Sequence, residues 1–232
     1  MLRAEPPPIE PPQSRWAFPP AHTADEHEVV GLGADLEAGT LLMAYRSGLF
    51  PMPLGEKGRI GWFSPDPRGI LRVDDLKISR SLRRSCRRFE IRIDTAFETV
   101  MARCGDPRRP HGWINGEFLR AYTHLHELGW AHSVECWSEE GDLVGGLYGI
   151  AIGGLFAGES MFHERPDASK VALVSLVERL APRTDVLIDV QWTTDHLVSL
   201  GASEVDREDY LERLADLVGR PQIRLDRGAQ NS

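Results

Sequence analysis

Two polar side chains interrupt the apolar run VLIDVQW at residues 186–192. Asp189 and Gln191 are two residues apart, so in a β-strand both side chains project from the same face of the sheet. A carboxylate can anchor a cationic amine or orient a neighbouring group, and a carboxamide both donates and accepts hydrogen bonds. The pair therefore fits a site that positions an amine, although a structural polar pair at a strand end has the same spacing.

A third polar residue, Glu159, stands in the apolar stretch LVGGLYGIAIGGLFAGESMF, residues 143–162. Gly153-Gly154 predicts a two-residue hairpin at the centre of this stretch. Glycines within strands are typical of a bulge or of a close approach by a ligand or another backbone. Because an unpaired buried charge is costly, we expect Glu159 to have a partner, either on a substrate or on an internal cation such as Lys170.

Basic residues are concentrated between Lys77 and Arg92, in a chain whose net charge is −8. Helical spacing at i, i+3, i+4, i+7 and i+8 would place five guanidinium groups on one face. Such a face suits phosphate, because the planar fork of arginine binds two oxygens at once, but a solvated face with scattered ion pairs is equally consistent. The five candidates for binding nucleic acid are Arg80, Arg83, Arg84, Arg87 and Arg88.

The composition of the 232-residue chain excludes several classes of protein. It has no apolar run of the roughly 18 residues needed to span a membrane, and the proline-rich N-terminus has no signal-peptide core. Three cysteines without a CxxC pair fit a reducing cytosol and predict neither a zinc site nor a redox pair. The histidines show no metal-ligand spacing, and Ser160 in GESMF lacks the GxSxG nucleophile elbow. We therefore expect no metal site.

Strands and helices mix along the chain in a way that predicts an α+β fold around one central mixed sheet. We expect a proline-rich tail, extended or disordered, with Trp16 and Phe18 as its candidate docking residues. We expect a small helical unit over residues 23–49 with a helix capped by Asp35, and then a long loop over residues 50–70. Ser79 should cap a helix that reaches about Arg88. The later elements are predicted as strands at 89–94, 131–137, 143–152, 155–161 and 186–192, and helices at 95–104, 117–129, 170–180, 195–200 and 206–218.

Seven segments, taken together and in order, resemble the bacterial leucyl/phenylalanyl-tRNA–protein transferases. No single segment decides the matter, but the set covers most of residues 32–212. The segments are LLMAYRSGLFPM (41–52), WFSPDPRGIL (62–71), HGWI (111–114), AYTHLHELGWAHSVECW (121–137), LVGGLYGIAIGGLFAGESMF (143–162), ASKVAL (168–173) and LIDVQWTTDHLVSLGA (187–202).

The resemblance implies an enzyme that moves leucine or phenylalanine from an aminoacyl-tRNA to the N-terminal Arg or Lys of a protein, which creates an N-degron for degradation. It implies a small N-terminal domain followed by a catalytic domain of the GCN5-related acyltransferase type. We place a tail at 1–21 and these domains at 22–66 and 67–232. It implies no cofactor, and we expect a cytoplasmic monomer whose partners are Leu-tRNA or Phe-tRNA and acceptor proteins.

The same resemblance assigns roles to individual residues. Asp189 and Gln191 match the pair assigned to catalysis, and Glu159 matches an acid near the acceptor site. Trp113 and Phe156 match residues lining the donor end, where the terminal adenosine and the amino-acid side chain sit. Leu147, Phe156 and Met161 are candidates for the apolar donor pocket. Two positions depart from the family pattern: Met52 replaces an expected aromatic platform, and Thr194 replaces an expected Asn.

The implied reaction is aminolysis of an activated ester, which needs positioning, proton transfer and oxyanion stabilisation but no covalent enzyme nucleophile. Two other classes stay open. A coenzyme-A-dependent N-acyltransferase would normally carry a Q/RxxGxG/A turn, which is missing before the helix at 170–180. A non-catalytic RNA-binding adaptor would use the arginine face alone and leave Asp189 and Gln191 without a purpose.

Overall fold

The computed structural model describes residues 6–55, 58–108 and 113–225. Its ten strands among these residues form two sheets, and its helices pack around them. The strands are β1 Val29–Leu32, β2 Phe50–Leu54, β3 Arg59–Phe63, β4 Arg68–Leu71, β5 Glu90–Ile93, β6 Ala131–Trp137, β7 Leu143–Ile152, β8 Leu155–His163, β9 Leu187–Gln191 and β10 Ser203–Val205. The α-helices are α1 Ala38–Arg46, α2 Arg80–Ser85, α3 Phe97–Cys104, α4 Gly116–Glu127, α5 Ala168–Leu180, α6 Asp195–Ser199 and α7 Arg207–Leu217.

The larger sheet has seven strands in the order β10-β4-β9-β8-β7-β6-β5. All of its pairings are antiparallel except that of β8 with β9, which are joined through α5. This parallel pair has register only from Leu155↔Leu187 to Ala157↔Asp189. Strand β8 continues to His163, so the two strands separate and leave a gap between them. The α+β class and the central mixed sheet are therefore confirmed.

A three-stranded antiparallel sheet in the order β1-β3-β2 precedes the larger one. The predicted loop over residues 50–70 is wrong, because this segment supplies β2, β3 and the first three residues of β4. Its prolines concealed the strands: Pro51 and Pro53 lie on β2, an edge strand, where a missing N–H is tolerated. The predicted boundary at 66/67 lies between β3 and β4, and the division into domains remains a prediction.

Asp35 does not cap α1, contrary to prediction. Glu37 occupies the N-cap position, and Asp35 Oδ1 instead accepts hydrogen bonds from Glu37 N at 3.2 Å and from Thr40 Oγ1 at 2.7 Å. The helical unit predicted to begin at residue 23 also includes strand β1, whose short sequence VVGL carries little periodic signal.

Helix α2 is shorter than predicted. Ser79 is confirmed as its cap, since Ser79 Oγ accepts from Leu82 N at 3.1 Å. The helix ends at Ser85. Arg87 and Arg88 lie beyond it, before β5, and their N–H groups donate to carbonyl oxygens three residues earlier. All five predicted arginines are nevertheless exposed.

Most glycines of β7 serve packing rather than substrate entry. A Cβ on Gly145 would lie 2.5 Å from the Ala168 Cβ of α5, and one on Gly149 would lie 2.5 Å from the Phe156 ring. Gly149 stands at a β-bulge in the β7–β8 pairing. By contrast, a Cβ on Gly158 would meet nothing closer than the Asp189 carbonyl oxygen at 3.6 Å. The predicted hairpin and the remaining elements from β5 to α7 agree with prediction to within two residues, while β10 was not predicted.

The proline-rich segment 6–20, which we call the strap, has no regular secondary structure and is mostly exposed, but specific contacts attach it to the rest of the protein. Its two predicted anchors are confirmed: Trp16 Nε1 donates to Asp35 Oδ2 at 2.7 Å, and the rings of Phe18 and Trp62 lie 4.5 Å apart. The strap also bridges α1 and the end of α4. The bridging contacts are Ile9 N to Leu128 O, Trp130 Nε1 to Ile9 O, and Glu10 to Arg46.

Candidate active site between two separating strands

Asp189 lies at the last paired position of the parallel strands and is 1% exposed. Its carboxylate accepts two hydrogen bonds from Arg68, with Nε to Oδ1 at 2.9 Å and Nη2 to Oδ2 at 2.6 Å. Tyr210 Oη donates to Oδ2 at 2.8 Å, and Gln191 N donates to Oδ1 at 2.9 Å. Because these four donors occupy its oxygens, the contacts of Asp189 favour the orienting role over the anchoring of a substrate amine.

Gln191 has an unusual backbone that this carboxylate helps to hold. Its φ is +58°, in the left-handed region that residues other than glycine rarely adopt. The register passes from Ile70↔Asp189 to Gly69↔Gln191, so Val190 is an additional residue and forms a bulge. The strict alternation that predicted a shared face is interrupted at this bulge. Gln191 Nε2 donates instead across the gap to Glu159 Oε1 at 3.2 Å.

Glu159 sits on β8 where that strand has left β9, and its partners differ from those predicted. Tyr122 Oη donates to Glu159 Oε2 at 3.3 Å, and the Tyr45 and Tyr122 hydroxyls are 2.5 Å apart. The alternative partner Lys170 is wrong, because its Nζ lies 3.6 Å from Asp167 Oδ1. Glu159 therefore joins α1, α4 and β9 through polar side chains and has no cation bonded to it among the described residues.

The protonation of Glu159 is set mainly by its enclosure. Loss of water around the carboxylate, and secondarily the negative charge of Asp189, raise its pKa from the ordinary value of 4.5 to about 8. The hydroxyls of Tyr45 and Tyr122 and the charge of Arg68 act in the opposite direction on this pKa. A carboxyl group with a pKa near 8 is present in both protonation states close to physiological pH, which suits acid–base catalysis.

Two cavities meet at Glu159 and Gln191. The first has a volume of ≈ 260 Å³ and is lined mainly by apolar side chains of β7, β8, β9 and α5. The predicted donor-pocket residues Leu147, Phe156 and Met161 all line it. The second has a volume of ≈ 450 Å³ and has aromatic walls. It is lined by Trp113, Met52, Phe50 and Trp192, among others.

Thr194 borders both cavities, and its hydroxyl accepts from Leu197 N at 3.3 Å as the cap of α6. The departure from Asn at this position thus retains a helix cap. His111 and Gly112, which belong to one of the matched segments, lie outside the described residues.

The sequence analysis missed four side chains that belong to the hydrogen-bond network of Asp189 and Glu159: Arg68, Tyr45, Tyr122 and Tyr210. The first three stand within the matched segments, but nothing in their spacing indicates that they approach Asp189 or Glu159. Arg68 is 1% exposed, is held between the rings of Phe50 and Tyr210 at 4.9 and 4.4 Å, and donates to Gly48 O at 3.1 Å. Tyr210 gave no sequence signal at all.

The arginine cluster, defined as Arg80, Arg83, Arg84, Arg87 and Arg88, lies beside α5. Ser85 Oγ of α2 donates to Asp167 Oδ2, at the start of α5, at 2.9 Å. None of the five guanidinium groups forms an ion pair with another residue that the structure describes. The ion pairs to acid-rich C-terminal residues that a merely solvated face would offer are therefore not found there.

The described part of the chain has no group of three or more His, Cys, Asp or Glu side chains arranged to hold a metal ion. Within the same residues, no helix combines the length and apolar character needed to cross a bilayer.

Comparison with known proteins gives a family for this arrangement. Residues 70–215 match the family model described as leucyl/phenylalanyl-tRNA protein transferase, and residues 34–66 match the model of that family's N-terminal domain. The chain belongs to this family. It is accordingly an aminoacyltransferase, and the matched N-terminal segment contains both Tyr45 and Met52.

Individual members of the leucyl/phenylalanyl-tRNA–protein transferase family are similar over most of their length. The Aromatoleum aromaticum protein of that name is 52% identical over 86% of each chain. Its namesake from Syntrophobacter fumaroxidans is 50% identical, again over 86% of each chain. Among solved structures, L-PGS from Bacillus licheniformis covers 64% of this chain and 56% of its own at 15% identity, with a TM-score of only 0.35.

Proposed function

We propose that Glu159 and Gln191 form the reaction centre at which this transferase moves leucine or phenylalanine from aminoacyl-tRNA to the N-terminal amine of a protein. The observation that carries the proposal is the meeting of two unlike cavities at these two side chains. An aminoacyl-tRNA end has two unlike parts, an apolar side chain and a nucleoside, joined at the reacting ester. The junction of the cavities is therefore where the ester carbonyl would lie.

In the proposed step, the acceptor amine nitrogen forms a bond to the ester carbonyl carbon, and the bond from that carbon to the ribose oxygen breaks. The amine loses one proton and the ribose oxygen gains one, so protons balance without any other reactant. No enzyme nucleophile is required because the ester is already activated. The protein contributes orientation and proton transfer.

Glu159 suits the removal of the amine proton. Its pKa of about 8 is close to that of a protein α-amino group, about 7.7–8.0. A base and an acid of matched pKa exchange a proton without a large penalty in either direction. The carboxylate form also attracts the incoming ammonium group, which is consistent with the acceptor-side role that the resemblance gives this residue.

Gln191 is assigned to orientation. Its amide nitrogen donates to Glu159, which leaves its amide oxygen as the acceptor for an N–H of the attacking amine. Asp189 and Arg68 are positioning residues in this scheme, since Asp189 holds the Gln191 backbone and lines neither cavity.

The apolar cavity supports leucine and phenylalanine as donors. Its walls include Leu147, Phe156 and Met161, and a volume of ≈ 260 Å³ accommodates a side chain of that size. Discrimination against smaller side chains should be modest, because each methylene group contributes only about 1–3 kcal/mol. The choice of Arg or Lys as the acceptor residue, and the resulting N-degron, follow from the family resemblance.

The arginine cluster is proposed to bind tRNA phosphates, since its guanidinium groups are exposed and make no ion pair within the described residues. The protein is further proposed to act as a monomer in the cytoplasm.

The decisive experiment supplies labelled Leu-tRNA or Phe-tRNA and a peptide that begins with Arg. We expect label on the peptide, and none on a matched peptide whose N-terminus is acetylated. Intact tRNA binding without transfer would instead identify an RNA-binding adaptor. Transfer from acetyl-coenzyme A but not from aminoacyl-tRNA would identify a coenzyme-A-dependent acyltransferase.

A further inference from the structure

The aromatic wall of the larger cavity includes a tryptophan that has no role in the scheme above. Trp192 follows Gln191 directly, lines the ≈ 450 Å³ cavity and is 38% exposed. Trp62, by comparison, is 1% exposed. A large aromatic ring that is exposed in a cavity indicates ligand binding more strongly than a buried ring does, because its exposed apolar area does not stabilise the fold.

The Trp192 ring is fixed in place on one side. It meets the ring of Phe50 edge-on at 5.0 Å and 89°, and that of Phe63 at 5.9 Å and 70°. Its Nε1 donates to Glu28 Oε2 at 2.7 Å, and the other carboxylate oxygen of Glu28 accepts from Asp66 N at 3.2 Å. The ring is therefore preorganised before any ligand arrives, which lowers the entropic cost of stacking on it.

The position of the ring relative to the reaction centre indicates what it would meet. In an aminoacyl-tRNA the ester is on the ribose of the terminal adenosine. The adenine is therefore attached to the same ribose as the reacting ester. If the apolar cavity holds the amino-acid side chain, the nucleoside must enter the second cavity, whose walls carry Trp113 and Trp192. Nucleobases stack on such rings with substantial affinity.

We propose that Trp192 is a stacking platform for the terminal adenine of the donor tRNA. The inference rests on the proposed function, because it takes the ester to lie at Glu159 and Gln191. Met52 lines the same cavity where the family pattern has an aromatic residue, and Trp192 gives that cavity an exposed aromatic ring. A competing use of the same ring, a cation–π contact with the Arg side chain of the acceptor, is separated by the experiment below.

The test compares the binding of two uncharged tRNAs, one complete and one lacking only its terminal adenosine. We expect Trp192→Ala to weaken binding of the complete tRNA about 10-fold and to leave binding of the shortened tRNA unchanged. Trp192→Phe should retain most of the affinity. Trp16→Ala is the matched control, since Trp16 is 42% exposed but lies in the strap, and it should affect neither tRNA.

Equal weakening of both tRNAs, or no weakening of either, would overturn the stacking role. An unchanged tRNA affinity combined with a higher KM for the Arg peptide would assign Trp192 to the acceptor instead. Binding of uncharged tRNA does not depend on transfer. A wild-type protein that failed to transfer would thus contradict the proposed function without deciding the contact between Trp192 and the terminal base.

Discussion

Arg68 and Asp189 are joined by two hydrogen bonds, and both side chains are 1% exposed. Asp189 lies where β8 and β9 begin to separate. Removing one member of a buried pair leaves an uncompensated charge. We therefore expect Arg68→Met to lower the free energy of unfolding by about 3–5 kcal/mol, measured by urea denaturation. The double variant Arg68→Met/Asp189→Leu should lose less than the sum of the two single losses. Additive losses would show that the pair is not energetically coupled.

The same carboxylate holds the backbone of Gln191, so its removal should impair turnover more than binding. We expect Asp189→Ala to lower kcat by about 100-fold, because a small displacement of a positioning group has effects of that order. The tRNA affinity should change little. The combination Asp189→Ala/Gln191→Ala should be no slower than Gln191→Ala alone. A further large loss of kcat in the double variant would mean that Asp189 acts independently of Gln191.

Glu159 should give the reaction a distinctive dependence on pH. Its pKa of about 8 means that the base form grows as the pH rises through 8, so kcat should rise with an apparent pKa near that value. Glu159→Gln should lower kcat and abolish this limb of the kcat profile. A limb that persists in the variant would belong to the acceptor amine rather than to Glu159.

Deprotonation of Glu159, which should raise kcat, should lower the stability of the folded protein. The pKa of Glu159 in the folded protein, about 8, exceeds the ordinary value of 4.5, so between these values the folded state holds a proton that the unfolded state has released. Stability should therefore fall as the pH rises through this window, by at most about 1.4 kcal/mol per unit. Glu159→Gln should flatten the curve between about pH 5 and pH 8.

Tyr122 and Tyr148 offer a matched pair of hydroxyl deletions, since both side chains are completely buried. Tyr122 bonds to Glu159 and Tyr45, whereas the Tyr148 hydroxyl has no hydrogen-bond partner among the described residues. We expect Tyr122→Phe to cost about 1–3 kcal/mol of unfolding free energy and to raise the apparent pKa of kcat. Tyr148→Phe should leave stability unchanged or slightly higher. Equal losses would contradict the proposed network.

The arginine cluster predicts a salt effect. Replacing Arg83, Arg84 and Arg87 with Gln should weaken tRNA binding and flatten its dependence on salt, by up to about 0.9 in log–log slope for each phosphate that the variant no longer neutralises. The control triple is Arg72, Arg213 and Arg220, which surround a cavity elsewhere on the molecule. An unchanged slope in the first triple would contradict a role for this cluster in binding phosphate.

The elements with clear periodicity were predictable from the sequence, including the hairpin of β7 and β8 and the amphipathic helix α4. The small sheet was not, because Pro51 and Pro53 conceal an edge strand. The site residues Glu159, Gln191 and Asp189 could be named, but their partners could not. Tyr45 and Tyr122 are 77 positions apart in the sequence. Their contact depends on tertiary packing, which local sequence patterns do not encode. The bulge at Val190 could not be predicted either, because the alternation of side chains along a strand assumes regular pairing.

The strap also bears on how the chain acquires its structure during synthesis. Its residues are synthesised before those of α4, yet Ile9 binds the backbone of Leu128 and the indole of Trp130, which are made more than a hundred positions later. The strap therefore has to wait, unpaired at these contacts, until α4 has emerged. A segment that is synthesised before α4 thus completes its contacts only after α4 has formed.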